Sequence, residues 1–194
     1  MRTRAAIEPQ LPTMRPVNAV VTNTEILGVE PPAKFEIVQA SSLYGHEPKP
    51  MEWIMDDWMP RGQTTLIYGD GGVGKTQLIQ QLMSCVVTGR PFMGANCAEG
   101  PVLGLFCEDD IDQLHRRQAS INTLYGMDFR GLDDLYLIAR PAQDNILMEF
   151  DGKNVNGVKT KVWHELREQV GDINPAMLTI DTAADTFGGN EIDR

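Results

Sequence analysis

Apolar positions along the chain fall into short runs and helical stripes that alternate from residue 51 onward. Thr64–Tyr68 is a β-rich run that ends in glycines. Behind it, Leu78, Ile79, Leu82, Met83 and Val86 recur at helical spacing within Thr76–Val87, and Gly89-Arg90-Pro91 stops the pattern. Val102–Cys107 is a second apolar run, broken off by Glu108-Asp109-Asp110. Ile111, Leu114, Ile121 and Leu124 mark the next helix, whose acidic start suits the positive end of a helix dipole. Leu135–Ala139 predicts a further strand. Val162, Trp163, Leu166 and Val170 predict a helix before Gly171, and Ala176–Ile180 a third clear strand closed by Asp181. Strands apolar on both faces, alternating with helices, predict an α/β domain with a mostly parallel sheet.

The first 50 residues break this rhythm. Seven of the 12 prolines lie there, and proline removes a backbone donor and biases its predecessor away from helix. Asn18–Thr22 and Phe35–Val38 have the composition of short strands but stand isolated. Residues 1–50 therefore read as an extended or loosely ordered N-terminal arm, with an oligomerisation arm as the functional alternative. Residues 51–194 read as the globular domain.

Charge sharpens the division. The chain has 194 residues and a formal charge of −10, all of it from residues 51–194, because 1–50 carries five basic and five acidic side chains. An acidic body is a poor surface for coating a polyanion, though it leaves room for a local basic channel or one formed between subunits. Three cysteines, Cys85, Cys97 and Cys107, make no disulfide framework and no zinc spacing. Arg2 and Arg4 are followed by no apolar stretch of a secretory signal, and no run approaches 18 apolar residues. The expectation is a soluble protein of a reducing cytoplasm, without a membrane partner.

The strongest motif is Gly69-Asp70-Gly71-Gly72-Val73-Gly74-Lys75-Thr76, a full match to the phosphate-binding pattern GxxxxGK[ST] between a predicted strand and a predicted helix. Its four fixed positions arise by chance in roughly one chain of this length in a hundred, and the flanking elements lower those odds. Glycines there let successive N–H groups turn inward onto phosphate oxygens, and the helix start adds its unpaired amides. Lys75 is placed to reach the β- and γ-phosphates of a nucleotide and the Thr76 hydroxyl to bind Mg²⁺, which makes ATP and Mg²⁺ the expected ligands.

Two acids complete the candidate site. Asp181 follows Met177-Leu178-Thr179-Ile180 and reads as the Walker B aspartate that holds Mg²⁺, directly or through water; its bland reading is a turn former after a strand. Glu108 ends the second strand, on the sheet edge where α/β proteins bind ligands, and is the candidate base for the attacking water. Asp109 and Asp110 compete with it but read better as the cap and first turn of the next helix. Arg116–Arg117 read as a solvated helix face rather than a contact to DNA or a neighbouring subunit, and His115 as part of that face rather than a catalytic group. Trp53, Trp58 and Phe92 read as apolar packing rather than an adenine stack. Gly188-Gly189-Asn190 reads equally as a turn or as a DNA-contacting loop.

Taken together, Trp53 through Gly62, the Gly69–Thr76 loop, Thr88-Gly89-Arg90-Pro91-Phe92, Phe106-Cys107-Glu108-Asp109-Asp110, Leu114-His115-Arg116-Arg117 and Ile180 through Asn190 resemble RepA-like AAA-family ATPases of the RecA-fold group. The resemblance covers about 51–194. It implies a RecA-like P-loop fold, a relation to hexameric replicative helicases of plasmids, phages and prophages, and single-stranded DNA as partner. It also implies Glu108 as catalytic base and Asp181 as metal ligand. A nucleotide-switched regulatory or assembly protein is the rival reading, and a small-metabolite kinase a third. The resemblance further implies a sensor strand between the phosphate-loop strand and the Walker B strand, and trans-acting residues, all past Arg194. On that expectation the chain is the N-terminal part of the ATPase domain. Its phosphate-loop strand stands apart or shifts to close the gap, and 1–194 alone folds poorly and hydrolyses little ATP.

Overall fold

The computed structural model of the chain describes residues 36–150 and 157–188. Its contacts divide the chain between Pro48 and Lys49. Ahead of that division the described residues hold one 3-10 turn, Ala40–Leu43, with every residue exposed. Asn18–Thr22 lies outside the described residues, and 36–38 is not a strand.

Past Lys49 the chain opens with a small antiparallel pair, β1 (Trp53–Met55) and β2 (Met59–Pro60). Helix α1 (Lys75–Val87), β3 (Val102–Phe106), α2 (Ile111–Tyr125) and β4 (Leu135–Ala139) follow. Then come β5 (Met148–Glu149), β6 (Val158–Lys159), α3 (Lys161–Ile173), β7 (Met177–Asp181) and β8 (Phe187–Gly188). The main sheet has the order β4-β3-β7 and is parallel throughout; β6-β5-β8 is a small mixed sheet beside it in the chain order.

Every residue of β3 is buried. Val102 and Phe106 pack with Leu82, Met83 and Val86 of α1 and Leu114 of α2 on one face. Leu103, Leu105 and Cys107 pack with Leu166 and Val170 of α3 on the other. A strand covered on both faces must be apolar at every position, which explains the unbroken run Val-Leu-Gly-Leu-Phe-Cys. Gly104 supplies the close approach: a Cβ there would stand 2.6 Å from Met83 Cε and 2.6 Å from the Phe106 ring. The described domain is thus α/β, with a parallel sheet compatible with a RecA-like fold.

The expected strand at Thr64–Tyr68 does not form. Residues 64–70 have no regular structure and no place in any of the three sheets, and Leu66 and Tyr68 are 71% and 88% exposed. A β-rich run becomes a strand only where another edge takes up its N–H and C=O groups. The facing edge here is β7, and the two do not pair: a cleft of about 160 Å³ lies between Thr65–Ile67 and Met177–Asp181. The expectation for this run is a strand, whether standing apart or shifted towards β7, and no strand forms.

The three cysteines are free and buried. Burial pushes the Cys85 and Cys107 thiols up from 9.0 to about 11. Unfolded, both thiols ionise near pH 9; folded, only near 11, so the unfolded state holds fewer protons in that window. Their contribution to stability is complete below about pH 9 and falls as pH rises towards 11. Thermal melts should therefore show the melting temperature dropping across that window, less steeply in Cys85→Ala/Cys107→Ala. Equal slopes in the two proteins would contradict this reading.

Candidate functional site

The parallel register sets the site. Phe106 of β3 pairs with Asp181 of β7 and with Ala139 of β4, so all three strands end at one edge of the sheet. The Cys107 N–H donates to Asp181 O at 2.7 Å and the Arg140 N–H to Phe106 O at 2.8 Å, which extends the pairing one step past the strand ends. Glu108 comes next, and the change is abrupt: Val102 through Cys107 are buried and Glu108 is exposed. Its carboxylate therefore stands free at the edge where parallel α/β sheets bind ligands.

Gly69–Gly74 forms an exposed loop that leads into α1. Gly74 is the N-cap of that helix with φ +94, and Gly72 has φ +75, a region that side chains with a Cβ rarely enter. No side chain caps α1, so its first amides remain available to an anion. Lys75 Nζ donates to Gly69 O and Asp70 O, both at 2.8 Å, and so closes the loop on itself with two of its three N–H bonds. Lys75 and Asp181 line one cleft together with Ile79 and Thr179. Thr76 is half-buried in the first turn of α1, and neither it nor Glu108 is among the described residues lining that cleft. The Asp181–Thr182 peptide bond is cis, and Thr182 Oγ1 donates to Asp185 Oδ2 at 2.6 Å.

Asp110 is the N-cap of α2, and its carboxylate accepts the Gln113 N–H at 2.7 Å. Asp109 is engaged elsewhere, with Arg117 Nη1 2.9 Å from its Oδ2. Both competitors of Glu108 thus have structural partners.

Arg117 needs a correction. It is no part of a solvated face: its side chain is 12% exposed and held by Asp109 and by Gln80 Oε1. Arg116 and His115 are exposed, as expected of that face, with His115 edge-on to Phe129. Phe92 is core, whereas Trp58 is exposed beside Tyr68 and Met93 along an apolar pocket of about 340 Å³. Gly188 belongs to β8, and Gly189-Asn190 lies outside the described residues.

Sequence reasoning passed over Arg140, which follows β4 at the same edge and is braced by Asn145 Oδ1 and Asp144 O. The end of a third parallel strand was the available signal. It also passed over Gln80, a polar residue among the buried positions of α1.

The Thr76 hydroxyl and the Asp181 carboxylate carry oxygen donors of the hard type that Mg²⁺ prefers, and these two would hold a divalent cation if one bound beside the phosphates. Among the described residues no group of three or more His, Cys, Asp or Glu side chains forms a metal cage. No described helix is long and apolar enough to cross a membrane.

Residues 29–194 match the family model described as an AAA domain. The match begins within the proline-rich region read as an arm. No curated protein matches the chain.

Removing the α2 cap gives a direct check on this local geometry. Asp110→Ala should destabilise the chain by about 0.5–2 kcal/mol, read as a lower denaturation midpoint at unchanged slope. An unchanged midpoint would mean that the cap does not hold the Glu108 loop.

Proposed function

The chain belongs to the AAA domain family, and on that premise we propose that it is the ATP-binding and hydrolysing module of a RepA-like, RecA-fold motor of a plasmid, phage or prophage. In hexameric form that motor would couple turnover to movement on single-stranded DNA. Family membership carries nucleotide binding and ATPase activity in general; the motor and its track are our reading. One observation supports it above the others. Asp181 pairs with Phe106 at the end of β3, accepts the N–H of Cys107, the residue before Glu108, and shares a cleft with Lys75.

The proposed chemistry follows from these positions. Backbone amides of 69–76 and the start of α1 hold the β- and γ-phosphates, and Lys75 exchanges its two carbonyl acceptors for phosphate oxygens. Thr76 and Asp181 would hold Mg²⁺, which when bound would neutralise charge on the phosphates. Glu108 accepts the proton of a water in line with the γ-phosphate, and its exposure gives that water access.

Glu108→Gln tests the assignment. In the assembled oligomer it should bind ATP with unchanged affinity and hydrolyse it on the order of 10²–10⁴ more slowly. If Asp109→Asn or Asp110→Asn abolishes turnover and Glu108→Gln does not, the base is misassigned. Stimulation of turnover by single-stranded DNA would support the motor. ATP binding with little turnover and no response to DNA would instead select a nucleotide-switched assembly protein.

A further inference from the structure

The contact between α1 and α2 contains more polar chemistry than a helix pair needs. Gln80 is fully buried, in the second turn of the helix that starts at Lys75. Its Nε2 donates to Leu114 O at 2.9 Å and to Gln118 Oε1 at 3.0 Å. Gln118, also buried, donates to Ser84 Oγ at 2.9 Å and to Asn122 Oδ1 at 3.0 Å. Gln80 Oε1 in turn accepts from Arg117 Nη1 at 3.3 Å, and the same nitrogen donates to Asp109 Oδ2 at 2.9 Å. A half-buried ion pair thus continues a buried amide network, and it ends on the residue directly after Glu108.

We propose that Arg117 is a positioning residue that acts through Asp109 to hold the Glu108 loop in fixed relation to the phosphate-loop helix. This deepens the ATPase reading and rests on Glu108 being the water-activating carboxylate. The physical argument concerns where stiffness is placed. Glu108 itself is exposed and makes no side-chain hydrogen bond within the described residues, so nothing in its own contacts fixes its direction. Its neighbours are fixed on both sides. The Cys107 N–H is tied to β7, Asp109 to Arg117, and Asp110 to the start of α2. Arg117 reaches both Asp109 and Gln80 with one guanidinium, so the loop after β3 and the helix after Gly74 share an anchor. Both acceptors are served by the one nitrogen Nη1, so a lysine in its place would keep the charge opposite Asp109 but replace a planar, pre-oriented guanidinium by an ammonium on a shorter, freely rotating stem. Catalysis tolerates about an ångström of misplacement poorly, so a residue that touches neither nucleotide nor water is able to control turnover.

Amide hydrogen exchange on the full chain, followed by steady-state kinetics wherever the wild type turns ATP over, tests this. Arg117→Gln and Asp109→Asn should each raise exchange across 107–112 by about tenfold, with exchange within 82–87 of α1 changed less than about twofold. Both should lower kcat by about tenfold or more at a KM within about twofold, and the double variant should be no worse than either single one. Arg117→Lys should recover part of the protection and part of the turnover. Unaltered exchange at 107–112 in both single variants overturns the proposal, whatever happens to turnover. So does a uniform rise through α1 and α2, or a KM that rises in step with the fall in kcat. A wild-type chain that binds Mg–ATP without hydrolysing it would defeat the hydrolytic reading of Glu108 instead, and the exchange result would still decide the role of Arg117.

Discussion

The burial of β3 on both faces is the constraint on which the rest depends. With α1 and α2 against one face and α3 against the other, the strand has no polar side to turn outward, and a slip of one residue would exchange the side chains of its two faces, driving a side chain into the place that Gly104 leaves for Met83. Its register with β4 and β7 is therefore fixed, and so is the level at which all three strands stop. Glu108, Arg140 and Asp181 reach a common edge because of that apolar packing rather than through contacts among themselves. The chemistry sits where the core ends.

The second constraint is polar. Buried amides between α1 and α2 cost free energy unless they are satisfied, and satisfying them demands one relative placement of the two helices. Gln80 and Gln118 meet that demand by bonding to each other and to the opposing backbone or side chains. The interface consequently resists sliding, which an apolar contact alone would tolerate. Lys75 opens one of these helices and Asp110 caps the other. The mutual placement of the phosphate loop and the Glu108 loop thus inherits the precision of the helix pair.

Much of this was legible along the chain. The helical stripes at 76–87 and 111–124 and the runs at 102–107, 135–139 and 176–180 correspond to α1, α2, β3, β4 and β7 within a residue or so. Strong periodicity and burial speak through the same side chains, so these elements could be read. The run at 64–68 misled because β propensity reports a side-chain preference and says nothing of whether a partner edge is within reach. Strands of two or three residues, such as β5, β6 and β8, carry too few positions for any period to show. Along the chain Arg117 reads as surface because an arginine on a helix usually is. Its partners lie 8 and 37 residues away, and only the packing of α2 on α1 brings them together. The acids after β3 were distinguishable in part: the cap at Asp110 followed a known preference, whereas the pairing of Asp109 had no local sign.

The account stands on Gly69–Thr76 being a nucleotide phosphate site. Calorimetric titration of Mg–ATP into the full chain and into Lys75→Ala is the most direct measurement of that claim. Loss of the ammonium should weaken binding on the order of a hundredfold or more, because its charge-assisted bonds to the β- and γ-phosphates have no substitute in the loop. Equal affinity in the two proteins would contradict it.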